Sequence, residues 1–352
     1  MSDSTSASAI PGAWRCLLRS FAFAAGFALI VGALYALGAE RYESPQIRSD
    51  RRNLARMTTG TLVVLGSSHG FNLVPKEMGF EGVNLSHGGQ DAFEMGYMAR
   101  AVKRASPNLG TVVFTLSYFT FFFDNSAYLQ GGSNNRIGRR VGMYSAFRSF
   151  PYIPGDGTSF VKGALYPVVT SDHWKSLLWP SPSDAPAYVK ASGLPPNPKG
   201  DKHVVSESSA GTHARGRCSE YKKLIRNMTS HHENLDDDVY EFLRNVSAEL
   251  EDAGVRVVLV IPAYYATYNA CFDAKRQAQT RRLAKRLVTE TGAELIDAGT
   301  APEFSNNREF FSNSDHMNRN GKVAFSRWLG RRLAGEHAAE PRDDEPSRAL
   351  PR

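Results

Sequence analysis

Short apolar runs of β-forming residues alternate along this chain with amphipathic helical patterns, and this alternation constrains its fold more than any other feature. The runs predicted as strands are 62–65, 82–85, 111–123, 255–261 and 294–296. The patterns predicted as helices are 91–104, 236–254, 273–291 and 320–334. Strands that alternate with helices form parallel sheets covered by helices on both faces. We therefore predict an α/β fold with three layers, α/β/α, around a mainly parallel central sheet.

The chain is long enough to form one large domain. It has 352 residues, of which 42% are apolar, and we assign the domain to residues 61–334. Prolines and glycines are scattered through 127–234, which we predict to be a partly helical insertion folded over the sheet edge. Residues 1–13 and 335–352 are predicted to be disordered, and the polar segment 40–60 to be a stalk.

An uncharged run near the N-terminus predicts contact with a membrane. Residues 20–39 carry no charge, which matches the thickness of a bilayer core, and Arg15 and Arg19 precede them. We predict an uncleaved, single-pass transmembrane anchor at 14–39, with its N-terminus in the cytoplasm. The alternative is a cleaved signal peptide. Both alternatives export the domain to the periplasm or the cell exterior, and the anchor would lie in the inner membrane.

The net charge restricts the classes of binding partner, and the cysteines bear on disulfide and metal sites. The net charge of +7 is spread along the chain without a compact basic stripe, so nucleic acid is a poor candidate, and anionic surface polymers or lipid headgroups fit better. Cys218 and Cys271 lie in the exported part, where an oxidising compartment would allow them to pair, but the sequence leaves their pairing open. The spacing of histidines and cysteines predicts no metal site, and no cofactor is predicted.

The segment that carries the predicted chemistry follows the first strand. The run 62–65 stops at Gly66, and Ser67 and Ser68 come next. A buried strand that ends in glycine and small hydroxyl residues is how α/β enzymes present a nucleophile at the carboxyl edge of a sheet. A plain serine-rich turn is the alternative, since serine is common in turns.

Two further segments supply what a serine nucleophile needs. Gly89 precedes the helix 91–104, where a backbone N–H beside the positive end of the helix suits an oxyanion. In 310–321, His316 is the natural base, and the adjacent Asp315 is the candidate to hold its imidazole. A plain strand-to-helix turn and a surface histidine are the corresponding alternatives.

Together these segments resemble the SGNH/GDSL hydrolase superfamily. Within it the chain is most similar to membrane-anchored members linked to acyl transfer on cell-surface polymers, such as the D-alanyl-transfer protein of teichoic acid and the alginate O-acetyltransferases. The sequence Gly-Ser-Ser at 66–68 stands where that superfamily has Gly-Asp-Ser, which implies Ser68 as the nucleophile. The resemblance also implies an oxyanion hole made by the backbone N–H groups of Ser68 and Gly89, with His316 as the base.

The chain departs from the family pattern at two positions. Asn313 stands three residues before His316, where the family has aspartate, so the orienting group is Asn313 or Asp315, or the triad is reduced to a dyad. The asparagine that normally completes the oxyanion hole after the third strand is absent, and Ser117 is the candidate donor in its place. Tyr264, after a later strand, would line the substrate pocket, and packing in the core is the alternative.

The combined prediction is a serine acyltransferase or esterase that acts on ester-linked acyl groups of a cell-envelope polysaccharide. Its expected partners are a surface glycan, an acyl donor and a membrane-bound acyltransferase. One alternative is a lipase or esterase of small or lipid esters. The other is a non-catalytic scaffold that binds polysaccharide within an export complex.

Overall fold

The computed structural model describes residues 12–42, 60–124 and 203–335. Nearly all of the stalk, most of the insertion and the predicted disordered end 335–352, except Gly335, lie outside these residues. The predicted N-terminal disorder also lies outside them, except that a helix already begins at Gly12.

The described residues form strands connected by helices. The strands are β1 (Leu62–Gly66), β2 (Gly82–Asn84), β3 (Thr111–Thr115), β4 (Arg256–Ile261) and β5 (Glu294–Asp297). The helices are α1 (Gly12–Tyr42), α2 (Ala92–Ala105), α3 (Glu207–His231), α4 (Leu235–Asp252), α5 (Ala266–Cys271), α6 (Ala274–Thr291), α7 (Pro302–Ser305) and α8 (Arg319–Leu333). Short 3₁₀ turns occupy Ser68–Asn72, Pro75–Met78, Thr120–Phe122 and Arg308–Phe310.

The strands form one five-stranded parallel sheet in the order β2-β1-β3-β4-β5. Val63 of β1 pairs with Val83 on one side and with Val112 of β3 on the other. The predicted α/β fold and its parallel sheet are therefore confirmed. The run 111–123 does form the central strand, but the prediction of its length was wrong. β3 ends at Thr115, because the chain then turns back and the N–H of Thr120 donates to the carbonyl of Ser117 at 2.9 Å.

Alternate side chains of each strand enter separate cores on the two faces of the sheet. Val63 and Leu65 belong to a core shared with α2, α4 and α6. Leu62 and Val64 belong to a second core shared with α8. All four side chains are fully buried, and burying an aliphatic side chain of this size contributes about 1.5–3 kcal/mol. The sheet thus has helices on both faces, as the near-continuous apolar strands predict.

The helix starts show which sequence signals were decisive. Asp91 caps α2 with a capping box, since its carboxylate accepts from the N–H of Glu94 at 2.8 Å and the Glu94 carboxylate accepts from the N–H of Asp91 at 3.2 Å. Helix α4 was expected over 236–254, which placed three aspartates, 236–238, at its start. The helix begins instead at Leu235, and these aspartates lie inside its first turn. There their negative charge interacts favourably with the positive end of the helix dipole.

The part of the predicted insertion that is described folds into the long helix α3. Tyr221, Ile225 and Met228 of α3 are buried in the same core as α2 and α4. A disulfide joins Cys218 of α3 to Cys271 of α5, with the two Cα atoms 6.1 Å apart. The sequence left the pairing of these two cysteines open, and the structure shows that they pair. The bond fixes α3 beside the end of β4.

The predicted anchor at 14–39 falls within helix α1. Several of its large apolar side chains are exposed, including those of Phe21, Phe23 and Leu29. In the part of the chain whose side chains are described, no helix combines the length and the apolar character needed to cross a membrane.

Candidate active site

The order of the strands creates a crevice where the chain leaves β1 and β3. The strand order changes direction between these two neighbours, and open α/β sheets bind ligands at the carboxyl ends of strands at such a point. Ser68 follows β1 and Ser117 follows β3. The loop 311–318 reaches the same edge, where the N–H of Met317 donates to the side-chain oxygen of Asn72 at 3.2 Å.

Close packing shapes the turn after β1. A Cβ atom on Gly66 would lie 2.6 Å from the Cβ of Thr115, and one on Gly70 would lie 2.2 Å from the hydroxyl of Ser86, so neither position has room for a side chain. The 3₁₀ turn Ser68–Asn72 begins two residues after Gly66 and contains Gly70. Ser68 is half-buried, while Ser67 is buried and points away from solvent. Of the two serines, Ser68 is the one that a substrate can reach.

Ser68, His316 and Asp315 form a continuous line of hydrogen-bonded side chains. The Oγ of Ser68 lies 2.9 Å from Nε2 of His316, and Nδ1 of His316 lies 3.0 Å from Oδ1 of Asp315. An ionised carboxylate only accepts hydrogen bonds, so Nδ1 carries the proton and donates it. In the neutral imidazole, Nε2 then accepts from the serine hydroxyl. This is the arrangement in which a histidine takes a proton from serine.

Asp315 is held as a carboxylate although it is fully buried. Burial by itself raises the pKa of a carboxyl group. Here the neighbouring His316 and His69 outweigh burial and hold the pKa of Asp315 well below its usual range. Oδ2 of Asp315 accepts from Nε2 of His69 and from Nε of Arg217, each at 3.3 Å. Asp315 therefore stays charged across the physiological pH range.

The side chain of Asn313 binds backbone N–H groups rather than the imidazole of His316. Its side-chain oxygen accepts from the backbone N–H groups of Asp315 at 3.0 Å and His316 at 2.7 Å. This is a local turn stabilised by an asparagine side chain. Of the two candidates for the orienting group, Asp315 is the residue in contact with the imidazole, and Asn313 shapes the loop that presents both.

Ser117 and Tyr264, expected to contact substrate, are instead fully buried. The hydroxyl of Ser117 lies 2.7 Å from Nδ1 of His69 and 2.8 Å from the hydroxyl of Ser67. The hydroxyl of Tyr264 lies 3.3 Å from the same nitrogen of His69. Both residues therefore surround His69 rather than the crevice, because the chain turns inward directly after β3 and β4.

The turn that holds Gly89 is attached to the turn that holds Ser68. The N–H of His87 donates to the carbonyl of Gly66 at 3.1 Å, and the N–H of Gly66 donates to the side-chain oxygen of Gln90 at 2.6 Å. Gly89 has a φ of 67°, a left-handed conformation that favours glycine, and α2 begins three residues later. Gln90 directly follows Gly89, but nothing in the sequence indicated its contact with Gly66.

Helix α3 contributes two residues that the sequence gave no reason to choose. Arg217 donates to Asp315, as described above, and also donates to the hydroxyl of Tyr221 at 2.8 Å. Nδ1 of His213 lies 2.8 Å from the hydroxyl of Ser314, and partial burial lowers the pKa of His213. Both residues lie in the predicted insertion, about a hundred positions before Ser314 and Asp315. No local spacing in the sequence therefore indicated these contacts.

His69, Asp315 and His316 are also a possible set of metal ligands. One ligand atom from each lies within 4.8 Å of the others. Imidazole nitrogens and a carboxylate suit several divalent cations. However, both oxygens of Asp315 already accept hydrogen bonds, and the guanidinium of Arg217 lies 3.3 Å away. A second positive charge at this place would be repelled, so the residues fit a hydrogen-bonded network better than a cation site.

Neither a scan against models of protein families nor a search of curated proteins finds a match for this chain.

Proposed function

We propose that this chain is a serine-dependent acyltransferase or esterase of the SGNH type. The observation that carries the proposal is the line from Ser68 through His316 to Asp315, with 2.9 Å and 3.0 Å between the paired atoms. A half-buried serine at the carboxyl edge of a parallel sheet, in contact with a histidine that a buried carboxylate orients, is the arrangement that activates serine for acyl transfer.

The reaction that follows from this geometry has two halves. Ser68 attacks the carbonyl carbon of an ester while its proton moves to Nε2 of His316. That proton then passes to the departing alcohol, which leaves Ser68 acylated. In the second half, His316 takes a proton from a sugar hydroxyl or from water, whose oxygen attacks the carbonyl carbon of the acyl-serine. The bond between that carbon and Oγ then breaks, Oγ takes the proton from His316, and the acyl group leaves on the sugar or as the free acid. Backbone N–H groups of Ser68 and Gly89 are the proposed oxyanion hole, and the contacts between their two turns support this assignment.

The proposed setting is the outer face of the inner membrane. Three observations support it: the apolar residues exposed on α1, the uncharged run 20–39, and the disulfide between Cys218 and Cys271, a bond that persists mainly in oxidising compartments. From the resemblance to envelope acyltransferases, the proposed acceptor is a cell-envelope glycan. An acyl donor and a membrane-bound acyltransferase are the proposed partners.

Covalent labelling with a fluorophosphonate tests the proposal. The wild-type chain should be labelled at Ser68, and Ser68→Ala and His316→Ala should lose labelling by several orders of magnitude, because each removes the nucleophile or its base. Ser67→Ala is the matched control and should keep most of the labelling, since Ser67 is buried. If the wild type is not labelled and Ser68→Ala still supports polymer modification in cells, the enzyme hypothesis is rejected in favour of the non-catalytic scaffold.

A further inference from the structure

His69 is a buried titratable residue to which the proposed reaction gives no role. It follows the nucleophile directly in sequence, its side chain is fully buried, and its ring centroid lies 5.1 Å from that of His316. We propose that His69 is a positioning residue that acts through Asp315, by donating a hydrogen bond from Nε2 to Oδ2 so that Oδ1 faces His316. This inference rests on the proposed function.

The hydrogen-bond partners determine which nitrogen of His69 carries the proton. Nε2 lies 3.3 Å from Oδ2 of Asp315, and a carboxylate offers only acceptors. Nε2 must therefore carry a hydrogen. The position of that hydrogen is thus assigned by the network around the ring, as is usual for histidine.

The other nitrogen of His69 faces donors. Nδ1 lies 2.7 Å from the hydroxyl of Ser117 and 3.3 Å from the hydroxyl of Tyr264. Burial raises the pKa of Tyr264 well above its ordinary value, so its phenol keeps its proton and can donate. Ser117 can donate to Nδ1 and accept from Ser67. In the series from Ser67 through Ser117 and His69 to Asp315, each group then donates a hydrogen bond to the next.

The imidazole of His69 is also kept uncharged. Burial lowers the pKa of His69 to about 4, although Asp315 opposes the effect. The titratable and charged groups near the ring are Asp315 and His316 from the loop before α8, Arg217 from α3, and Tyr264 and Tyr268, which follow β4. A neutral donor fixes the carboxylate without adding a positive charge. The only permanent positive charge on Oδ2 is then that of Arg217, and the negative charge of Asp315 remains available to stabilise the imidazolium that forms on His316 during the reaction.

Asp315 is therefore attached at both oxygens. Oδ1 serves His316, and Oδ2 is held by His69 and Arg217. Without His69, only the half-exposed side chain of Arg217 would hold Oδ2, and the carboxylate could turn away from His316. The buried serine–histidine pair Ser117–His69 thus mirrors the pair Ser68–His316 across one shared carboxylate.

Two substitutions separate positioning from simple packing. His69→Leu keeps a side chain of similar size but removes the donor, and labelling of Ser68 should slow by about 10- to 100-fold, by analogy with the loss of an outer hydrogen-bond partner of a metal ligand. His69→Gln keeps one N–H donor and one acceptor, and should restore labelling to within about threefold of the wild type. Circular dichroism of both variants establishes that they are folded.

A second measurement does not depend on activity. In the full-length chain labelled with ¹⁵N at histidine, NMR should show His69 as a neutral imidazole protonated at Nε2 at pH 7, and His316 with a strongly hydrogen-bonded Nδ1 proton. His316→Ala and His69→Gln assign the two sets of signals. The Nδ1 proton of His316 should weaken or shift in His69→Leu and remain in His69→Gln.

The outcomes are distinguishable. Labelling of a folded His69→Leu within threefold of the wild type overturns the inference, as does a His69→Gln variant that loses as much as His69→Leu. A wild-type spectrum with His69 protonated at Nδ1, or charged at pH 7, overturns it even if His69→Leu does not fold. If the wild type is not labelled at all, the proposed function fails, and the NMR signals alone decide whether His69 positions Asp315.

Discussion

Lowering the pH should destabilise this protein through His69 in particular. Burial lowers the pKa of His69 from 6.5 to about 4, so the unfolded chain binds a proton near pH 6.5 that the folded chain refuses until about pH 4. The stabilisation is fully present above pH 6.5 and is lost as the pH falls through that window. Two pKa values 2.5 units apart predict a loss of about 2 kcal/mol between pH 7 and pH 5, and roughly 3 kcal/mol in all.

The assay compares free energies of unfolding at the two pH values. Chemical denaturation of the full-length chain, followed by circular dichroism, gives the free energy at pH 7 and at pH 5 for the wild type and for His69→Gln. Glutamine does not titrate, so the variant should lose about 2 kcal/mol less than the wild type over this interval. His203→Gln is the control, since His203 is exposed, and it should show the pH dependence of the wild type.

Asp315 does not disturb this comparison. Its folded pKa is depressed, so its contribution is present above its unfolded value, 3.8, and is lost only at lower pH. If the wild type and His69→Gln lose the same free energy between pH 7 and pH 5, then His69 titrates normally in the folded chain. The physical argument for a neutral, buried donor would then be refuted.

Two further predictions concern the orienting group and the topology. Asp315→Ala should slow labelling of Ser68 by roughly 10³- to 10⁴-fold, because it removes the carboxylate that orients the base, whereas Asn313→Ala should cost far less because it removes only a bond that shapes the loop. The opposite ranking in measured labelling rates would assign the role to Asn313. A reporter fused after Leu333, at the end of α8, should be active only outside the cytoplasm, and cytoplasmic activity of the fusion would reject the proposed export.

Local patterns predicted most of the fold. Strand β4 and helix α6 were expected within one residue of their observed ends, because Gly254 and Gly292 mark the turns before β4 and after α6 and apolar periodicity fills the interval. The segment 111–123 misled because its residues are almost continuously apolar. Apolar character reports burial, and a buried turn of aromatic residues looks the same as a buried strand when side chains alternate between two covered faces.

The site divides in the same way. Ser68, Asp315 and His316 occur in short segments with their own signals, and the structure brings the three together. Arg217 and His69 had no such signal, since their partners are distant in sequence and an arginine in a charged helix or a histidine in a turn is ordinary. Tertiary contact alone gives these two residues their positions. Sequence therefore indicates the groups that would react more readily than the groups that hold them.

The disulfide has a consequence for when the protein becomes competent. Cys218 is the residue after Arg217, so the bond to Cys271 secures the very turn of α3 that contacts Asp315. In a newly made chain with reduced thiols, this turn would lack its covalent tether, and we expect the arginine to visit the carboxylate only intermittently. If the proposed function holds, oxidation would then act as a maturation step, and copies of the protein with reduced thiols would label more slowly at Ser68.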